Sequence, residues 1–520
     1  MMVDDSFVKD KKILFILQRN HAFKEFPTVE RLYKAGAKLA TFAFKETCEK
    51  MVSTQDEVKF ESILKHSYIE ENAKKIVNNN KYTFENFRED YDISSIYKHA
   101  SSLRRKVTSY EKKYPFAFEQ SATDQEIEDY ILAFGFELKK FFYNFKPDIC
   151  IGYIWGSIGY LMLEKLCNKE KVPYYNHSDT KIDDISAFFY NTAHSKSFFH
   201  QKIKDLNDKK IISKNRLKAK NYIQNYLSSP TKQGFNSLTN LLVEPEVLDK
   251  KIFNFTDIKI LLRNLYYTSK KTNIKYKPND GSDQTTFFYD IRDYIFKQKN
   301  IFQVSKIKFD KLEDIDNFVY MPLGLYPETQ LGMLNNVYDN QLNTARILAR
   351  FLPNNLKLVV KDHPRAFSKN SKSFLLKLQN SPNVKLIDHK TTNDEIYKKM
   401  KYLISFCGTS IFEACMYKKP ALQIGTLGVM NDLPNFYLLN DITKVEDVIS
   451  EIDHNFIEYS KSQNYEDKLI NYISAAYDIW FSTSIYESKV QENKEYQEYM
   501  YKVHLSEIKK IFKYKDKFKF

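Results

Sequence analysis

Cysteine, glycine and proline are all scarce in this chain of 520 residues. There are 5 cysteines, 12 glycines and 14 prolines, and the cysteines are scattered without a Cys-x-x-Cys pair. An odd, dispersed set of cysteines argues against a disulfide framework and against a zinc site, and favours a reducing compartment. So few glycines and prolines argue against long linkers and glycine-rich repeats. The sequence therefore predicts ordinary hydrophobic cores.

Long apolar runs are also missing. The N-terminal stretch MMVDDSFVKDKK has no apolar signal core, and the longest uncharged apolar run, residues 149–163, contains three glycines. At about 15 residues this run is shorter than the ~20 that a membrane-spanning helix needs. We therefore predict a cytoplasmic protein, with a peripheral place at the inner membrane left open by a basic tail.

Arginine is scarce although the chain is basic. The formal net charge is +14, from 80 Lys+Arg against 66 Asp+Glu, and only 11 of the 80 are arginine. Proteins that bind nucleic acids use arginine for bidentate contacts with bases and phosphates, so no nucleic-acid partner is expected. Two explanations of the lysine excess stay open: the codon habit of an AT-rich genome, and attraction for anionic ligands or an anionic membrane surface.

Length and composition indicate two large domains or three small ones. The chain is 43% hydrophobic and 15% aromatic, which is enough for sizeable cores and excludes disorder as its overall state. We predict a first domain over residues 1–310, a second over 311–450, and C-terminal helices over 451–520 that pack back on the body.

The first domain opens with the pattern of a doubly wound α/β fold. Residues 12–17 (KILFIL) predict a buried strand, followed by a polar loop over 18–28 and then a helix. Residues 147–176 predict a strand, a helix and a second strand, which make one βαβ unit. Two stretches, about 45–145 and 200–300, predict large helical insertions.

The second domain shows alternation more sharply. Five short apolar segments alternate with helical segments, at 318–322, 356–360, 384–387, 402–406 and 421–425. Such alternation predicts a parallel sheet. The predicted fold class is therefore α/β, with two doubly wound parallel-sheet domains facing a cleft, large helical insertions and a helical C-terminus.

The last 20 residues form a basic amphipathic segment. It carries seven lysines against two acidic residues, with Leu505, Ile508, Ile511 and Phe512 at helical spacing. Two interpretations stay open. The segment could lie on an acidic membrane face, or it could pack on the body through its apolar stripe.

Two segments that follow strands of the second domain carry candidate ligand groups, since ligands bind beyond the carboxyl ends of parallel strands. In Lys361-Asp-His-Pro-Arg365, Lys361 and His363 suit a phosphate as cation and hydrogen-bond donor. In Pro322-Leu-Gly-Leu-Tyr-Pro-Glu328, Gly324 would let the backbone approach a ligand and Glu328 would place a carboxylate in the cleft.

A third segment, Cys407-Gly-Thr-Ser-Ile-Phe-Glu413, allows two interpretations. In the first, Gly408 makes a tight turn, Thr409 and Ser410 cap a helix, and Glu413 completes a capping box. In the second, a phosphate binds the amides of Thr409 and Ser410 at the helix start, and Glu413 holds a pair of ribose hydroxyls.

Taken together, these segments resemble the bacterial capsule polysaccharide biosynthesis proteins, GT-B glycosyltransferases that include Kdo-transferase-like proteins. The matching text runs FVYMPLGLYPETQ, KLVVKDHPRAF and YLISFCGTSIFEACMYKKPALQIG, within about residues 315–430. The resemblance implies a second domain that binds a nucleotide-sugar and a first domain that receives an oligosaccharide or glycolipid acceptor. It implies that Lys361, His363, Thr409 and Ser410 face the donor phosphate and that Glu413 holds the ribose.

The resemblance also implies a metal-independent transfer, with no cofactor beyond the nucleotide-sugar substrate. Basic side chains and helix dipoles would stabilise the leaving phosphate, and a base would deprotonate the acceptor hydroxyl. The base is expected from the first domain, where the candidates are His21 and Glu25 after the first strand, and His177 and Asp179 after a later one. Asp179 could instead cap a helix.

The leading hypothesis is a cytoplasmic glycosyltransferase that builds a capsule or another surface polysaccharide. A CDP-alditol phosphotransferase, as in teichoic-acid-like polymerases, stays open, and in that case His363 would assist phosphoryl transfer. A sugar-nucleotide 2-epimerase would need more acidic residues in the cleft than the sequence places there. A non-catalytic assembly protein that keeps the GT-B fold is the alternative outside enzymes.

Overall fold

The structure is a computed structural model that describes residues 5–44, 46–102, 122–152, 158–183, 185–228, 262, 295, 298–324, 335–363, 370–479, 481–482 and 493–514. Its strands are β1 (Lys12–Gln18), β2 (Lys38–Phe44), β3 (Ser62–Lys65), β4 (Ile149–Ile151), β5 (Tyr174–Asp179), β6 (Ile185–Phe189), β7 (Phe318–Pro322), β8 (Lys357–Lys361), β9 (Val384–Ile387), β10 (Tyr402–Ser405), β11 (Ala421–Gln423), β12 (Phe436–Leu438) and β13 (Phe481–Ser482).

The α-helices of the described residues alternate with these strands and then close the chain. They are α1 (Arg19–Lys34), α2 (Glu46–Thr54), α3 (His66–Asn80), α4 (Phe84–Tyr91), α5 (Asp124–Phe145), α6 (Ile158–Glu170), α7 (Phe198–Asn207), α8 (Arg216–Ser228), α9 (Gln341–Phe351), α10 (Lys372–Gln379), α11 (Asn393–Lys399), α12 (Thr409–Met416), α13 (Val445–Lys461), α14 (Gln463–Ile479) and α15 (Lys494–Lys513).

Two separate sheets organise the molecule. The first runs in the order β13-β6-β5-β4-β1-β2-β3 and the second in the order β12-β11-β10-β7-β8-β9. All pairs of the second sheet are parallel, while β6 pairs antiparallel with both β5 and β13 in the first. In each sheet the first strand lies inside and the chain winds outward to both sides. The predicted fold class, two doubly wound α/β domains of GT-B-like layout, is confirmed by these strand orders.

The start of the first domain differs from the prediction. The sequence predicts a polar loop over 18–28, but α1 begins directly after β1 and contains Pro27. Ala22, Val29 and Leu32 are buried at helical spacing. Their packing stabilises the helix by more than it loses through the backbone hydrogen bond that Pro27 cannot donate. His21 and Glu25 are consequently helix residues.

The stretch 45–145 is not purely helical either. It contains β3, which pairs in parallel with β2 and forms the edge of the first sheet. Only one residue of β3, Leu64, is buried. A strand of four residues with one buried position leaves almost no apolar pattern from which it could be predicted. Much of the stretch 200–300 lies outside the described residues, and the domain boundaries given above stay predictions.

The C-terminal helices join the two sheets. Helix α14 packs against α7 and α8, and the hydroxyl of Tyr472 donates to the carbonyl oxygens of Thr180 and Val429, at 3.4 and 3.1 Å. Nearby, the amide of Gly428 donates to the carbonyl oxygen of Ala193 at 2.7 Å. The loop after β6 of the first sheet and the loop after β11 of the second are therefore in direct contact.

The basic tail forms α15, which packs against α1. Leu505, Ile508 and Ile511 are buried in a core beneath these two helices, together with strand residues such as Phe15. The apolar stripe therefore covers the first sheet, as in the second interpretation of the tail. Among the described residues, no helix is long and apolar enough to cross a membrane.

Candidate functional site

The candidate site lies at the carboxyl edge of the second sheet. Strand β7 lies between β8 and β10, and the chain winds from β7 to β8 on one side and later to β10 on the other. Such a reversal leaves a crevice beyond the strand ends, which is where open α/β sheets bind ligands. Lys361 ends β8, and Gly408 follows β10. Only β7 separates these two strands, so both positions lie at the same edge of the sheet.

Helix α12 begins at this edge without a side-chain cap. Its N-cap is Gly408, with φ 134° and ψ −177°, a conformation that is open almost only to glycine. The predicted capping box is wrong, because the Ser410 hydroxyl lies 3.0 Å from that of Ser405 and Glu413 bonds elsewhere. Among the described residues no side chain caps this helix start, and the helix dipole favours an anion there.

Lys361 is a buried cation at the end of β8. Its ammonium donates to the carbonyl oxygen of Thr391 at 3.0 Å and to Asn393 Oδ1 at 2.6 Å. Burial lowers the pKa of Lys361 to about 8, against the opposing charges of Glu413 and Glu395. An ammonium has three hydrogens, and within the described residues only two are used. The third can reach a ligand oxygen.

Glu413 is the partly buried carboxylate one turn into α12. Its Oε2 accepts hydrogen bonds from the Tyr397 hydroxyl at 2.6 Å and from Asn393 Nδ2 at 3.2 Å. Burial raises the pKa of Glu413, while Tyr397, Asn393 and the charge of Lys361 oppose the shift. Its Oε1 makes no hydrogen bond among the described residues, so it can accept one from a ligand hydroxyl.

His363 follows Lys361 and is partly buried. Its backbone amide donates to Asp362 Oδ1 at 2.8 Å, and Asn370 Nδ2 donates to the same oxygen at 2.7 Å. Burial raises the pKa of Asp362 to about 6, which leaves this carboxyl close to its titration point at neutral pH. The structure thus brings His363 to the edge that also carries Lys361.

The third predicted segment is described only in part. The amide of Gly324 donates to Gln341 Oε1 at 2.6 Å, and Gln341 Nε2 donates back to the Gly324 carbonyl oxygen at 3.1 Å. Helix α9 therefore occupies the backbone groups of Gly324, which were expected to face a ligand. Glu328 lies outside the described residues.

The candidate bases of the first domain are not gathered at one place. His21 lies in the first turn of α1, and its side chain is outside the described residues. Glu25 is buried, with Oε2 at 3.2 Å from His504 Nε2 and Oε1 at 3.6 Å from His177 Nε2. Burial opposes its ionisation, but the two imidazoles outweigh it and lower the pKa of Glu25. Its carboxylate is thus buried between the two histidines.

Asp179 ends β5 and caps no helix. Its carboxylate accepts from the amide of Lys181 at 2.8 Å and pairs with the Lys181 ammonium at 2.6 Å, in the turn that leads into β6. It is partly buried at a sheet edge, so it stays a predicted base. His177 is buried and its pKa is lowered, chiefly by burial.

Sequence reasoning missed Asn393, Tyr397 and Thr391, which complete the network around Lys361 and Glu413. A signal for them exists. Thr392-x-x-Glu395 is a capping-box pattern directly after β9, and the structure shows this box formed. It marks the loop before α11 as another strand end at the same edge. Among the described residues, no group of three or more His, Cys, Asp or Glu is arranged to hold a metal ion.

Solved structures align with this chain only loosely. The Staphylococcus aureus MnaA–UDP co-structure is 12% identical, over 90% of this chain and 95% of that one, with a TM-score of 0.25. The Neisseria meningitidis UDP-GlcNAc 2-epimerase bound to UDP-GlcNAc is 13% identical, over 90% and 98%, with a TM-score of 0.22. CalG4, the calicheamicin glycosyltransferase, is 10% identical, over 90% and 96%, with a TM-score of 0.22.

At these identities and TM-scores the alignments establish nothing about the activity of this chain, and the fold rests on the strand orders given above. No family model and no curated protein matches the sequence.

Proposed function

We propose that this protein is a glycosyltransferase that takes its sugar from a nucleotide-sugar held at the carboxyl edge of the second sheet. The observation that carries the proposal is the grouping of three features there. They are the uncapped start of α12, the buried ammonium of Lys361 and the carboxylate of Glu413. Together they offer positive charge for a diphosphate and an acceptor for ribose hydroxyls.

The chemistry of transfer fits this grouping. When the sugar leaves a nucleotide-sugar, negative charge grows on the phosphate, and donors that are already oriented stabilise it without reorganisation. The amides at the start of α12 and the third hydrogen of the Lys361 ammonium are such donors. The acceptor would enter from the first domain, where Asp179 and His21 remain the candidate bases.

The finer features of the proposal rest on the sequence resemblance alone. These are the role in capsule or surface polysaccharide synthesis and the oligosaccharide or glycolipid acceptor. Contact with an anionic membrane would have to use the exposed lysines of α15, because the apolar stripe of that helix is buried.

Thermal shift with a panel of nucleotides tests the donor site. The panel holds CMP, CDP, UDP, GDP, their sugar conjugates and CDP-glycerol, with the wild type, Glu413→Ala and, as control, Glu458→Ala on an exposed face of α13. A ligand at 100 times its dissociation constant adds about 2.7 kcal/mol of stability. We expect one nucleotide to stabilise the wild type and the control but not Glu413→Ala.

Each other outcome points to a different function. Stabilisation by CDP-glycerol, but by no nucleotide-sugar, would favour the phosphotransferase. A panel without any stabilising member would overturn the donor site and favour a non-catalytic assembly protein. If a nucleotide binds, turnover of its sugar conjugate with and without glycan acceptor distinguishes transfer from epimerisation.

A further inference from the structure

Asn393 lies between the two charged groups of the donor site, and its backbone is firmly held. It is the first residue of α11, directly after the N-cap residue Thr392. The Thr392 hydroxyl accepts from the Glu395 amide at 3.3 Å, while Glu395 Oε2 accepts from the Thr392 amide at 3.0 Å and hydroxyl at 2.8 Å. The closed capping box holds the backbone of Asn393 in place.

The orientation of the Asn393 amide follows from its partners. The Lys361 ammonium can only donate, so the Asn393 atom 2.6 Å from it must be the carbonyl oxygen. The amide nitrogen then faces Glu413 Oε2 at 3.2 Å and donates to it. The two ends of one side chain therefore satisfy a cation and a carboxylate at the same time.

Lys361 and Glu413 nevertheless form no direct ion pair. Each shifts the pKa of the other, so their charges interact, but the described residues show no contact between ammonium and carboxylate. Opposite charges this close in a partly buried site attract strongly. The Asn393 amide is the neutral group that contacts both.

We infer that Asn393 is a positioning residue that acts as a spacer: it prevents Lys361 and Glu413 from pairing with each other, so that the ammonium stays available to phosphate and the carboxylate to a ribose hydroxyl. The ligand roles in this inference rest on the proposed function, whereas the spacing itself does not. Without the amide, the ammonium moves onto the carboxylate and both groups are lost to the ligand.

The test measures the titration of Lys361 directly. The ammonium is followed by NMR in lysine-labelled protein, with its signal assigned through Lys361→Arg, for the wild type, Asn393→Ala and the control Lys399→Ala. A direct ion pair stabilises the charged form. In Asn393→Ala we therefore expect the titration midpoint to rise by about one pH unit. Lys399→Ala changes an exposed residue of the same helix and keeps both the capping box and the amide, so its midpoint stays at the wild-type value.

Binding of UDP and of 2′,3′-dideoxy-UDP supplies the second measurement. If the wild type prefers UDP, Asn393→Ala loses about tenfold in UDP affinity and loses the preference. If the wild type binds neither nucleotide but the Lys361 midpoint still rises in Asn393→Ala, the spacer role is supported. In that case the ligand is not a uridine nucleotide. An unchanged midpoint in Asn393→Ala overturns the spacer, whatever UDP does.

Discussion

At the scale of single residues, the protonation of Lys361 controls the charge of the proposed donor site. Its pKa is lowered to about 8, chiefly by burial, so the ammonium loses its proton as the pH rises through that value. Between pH 7 and pH 9 the charged fraction falls about tenfold. We expect nucleotide affinity, measured by calorimetry across this range, to fall in proportion.

Lys361→Met is the matched control for this pH dependence. It keeps the length of the side chain without the charge, so its affinity should be weak and flat with pH. A wild-type profile that is equally flat from pH 7 to pH 9 would show that the ammonium does not contact the ligand.

Gly408 is the second residue on which the site depends. Its φ of 134° with ψ of −177° is a region that other residues enter only at a cost of about 1 to 3 kcal/mol. We expect Gly408→Ala to lose stability by about this amount in urea denaturation. Because the start of α12 would also move, nucleotide affinity should fall at least about tenfold.

Gly36 provides the comparison for Gly408. It also has a positive φ, of 91°, but it lies in the turn between α1 and β2. Gly36→Ala should lose stability without losing nucleotide affinity. If Gly408→Ala and Gly36→Ala bind the nucleotide with equal affinity, the Gly408 turn does not contribute to ligand binding.

At the scale of elements, the contact between α1 and α15 contains a buried cluster of one carboxylate and two histidines. Glu25 on α1 lies beside His504 on α15 and His177 on β5, and all three are buried. Removing the Glu25 carboxylate leaves the buried imidazoles without their partner, and an unsatisfied buried polar group costs about 1 to 3 kcal/mol. We expect Glu25→Ala to lose about this much unfolding free energy, measured by urea denaturation.

The same two helices carry an exposed ion pair, between Arg31 and Glu498. Exposed pairs contribute little because water screens them. Glu498→Ala should therefore be nearly as stable as the wild type. If the two variants lose similar amounts, the buried cluster does not hold α15 in place.

At the scale of the whole molecule, buried histidines set the response to acid. Burial lowers the pKa of His194 to about 3 and also lowers that of His177. The unfolded chain takes up these protons near pH 6.5, whereas the folded chain takes them up only at lower pH, so this contribution to stability falls as the pH drops below 6.5. For His194 the slope approaches about 1.4 kcal/mol per pH unit below pH 6.5.

Urea denaturation at several pH values between 7.5 and 5 measures this slope. Glu25 acts in the same direction at lower pH, because its lowered pKa stabilises the folded state only while the carboxylate is ionised. Replacing His194 with Gln should flatten the profile. Asp362, whose pKa is raised to about 6, acts in the opposite direction, so the contribution of His194 is the difference between the wild-type profile and that of the Gln variant. Equal slopes in the two profiles would contradict the lowered pKa of His194.

The sequence by itself determined the fold class and the strand-end segments of the second domain. β7 to β11 are short apolar runs separated by helical patterns. Both faces of a parallel sheet are buried, so its strands can be predicted from such continuous apolar runs. Lys361, His363, Gly408 and Glu413 could be placed at one edge for the same reason, since they follow these strands.

Tertiary structure alone decided what those residues touch. Glu413 accepts hydrogen bonds from Tyr397 and Asn393 instead of capping α12, and Glu25 is buried beside His504. Both arrangements depend on contacts between residues that are distant in the chain. The helix over Pro27 and the edge strand β3 were also settled by packing on the sheet. Local sequence patterns record the period of a strand or helix, but not which side chains the fold brings together.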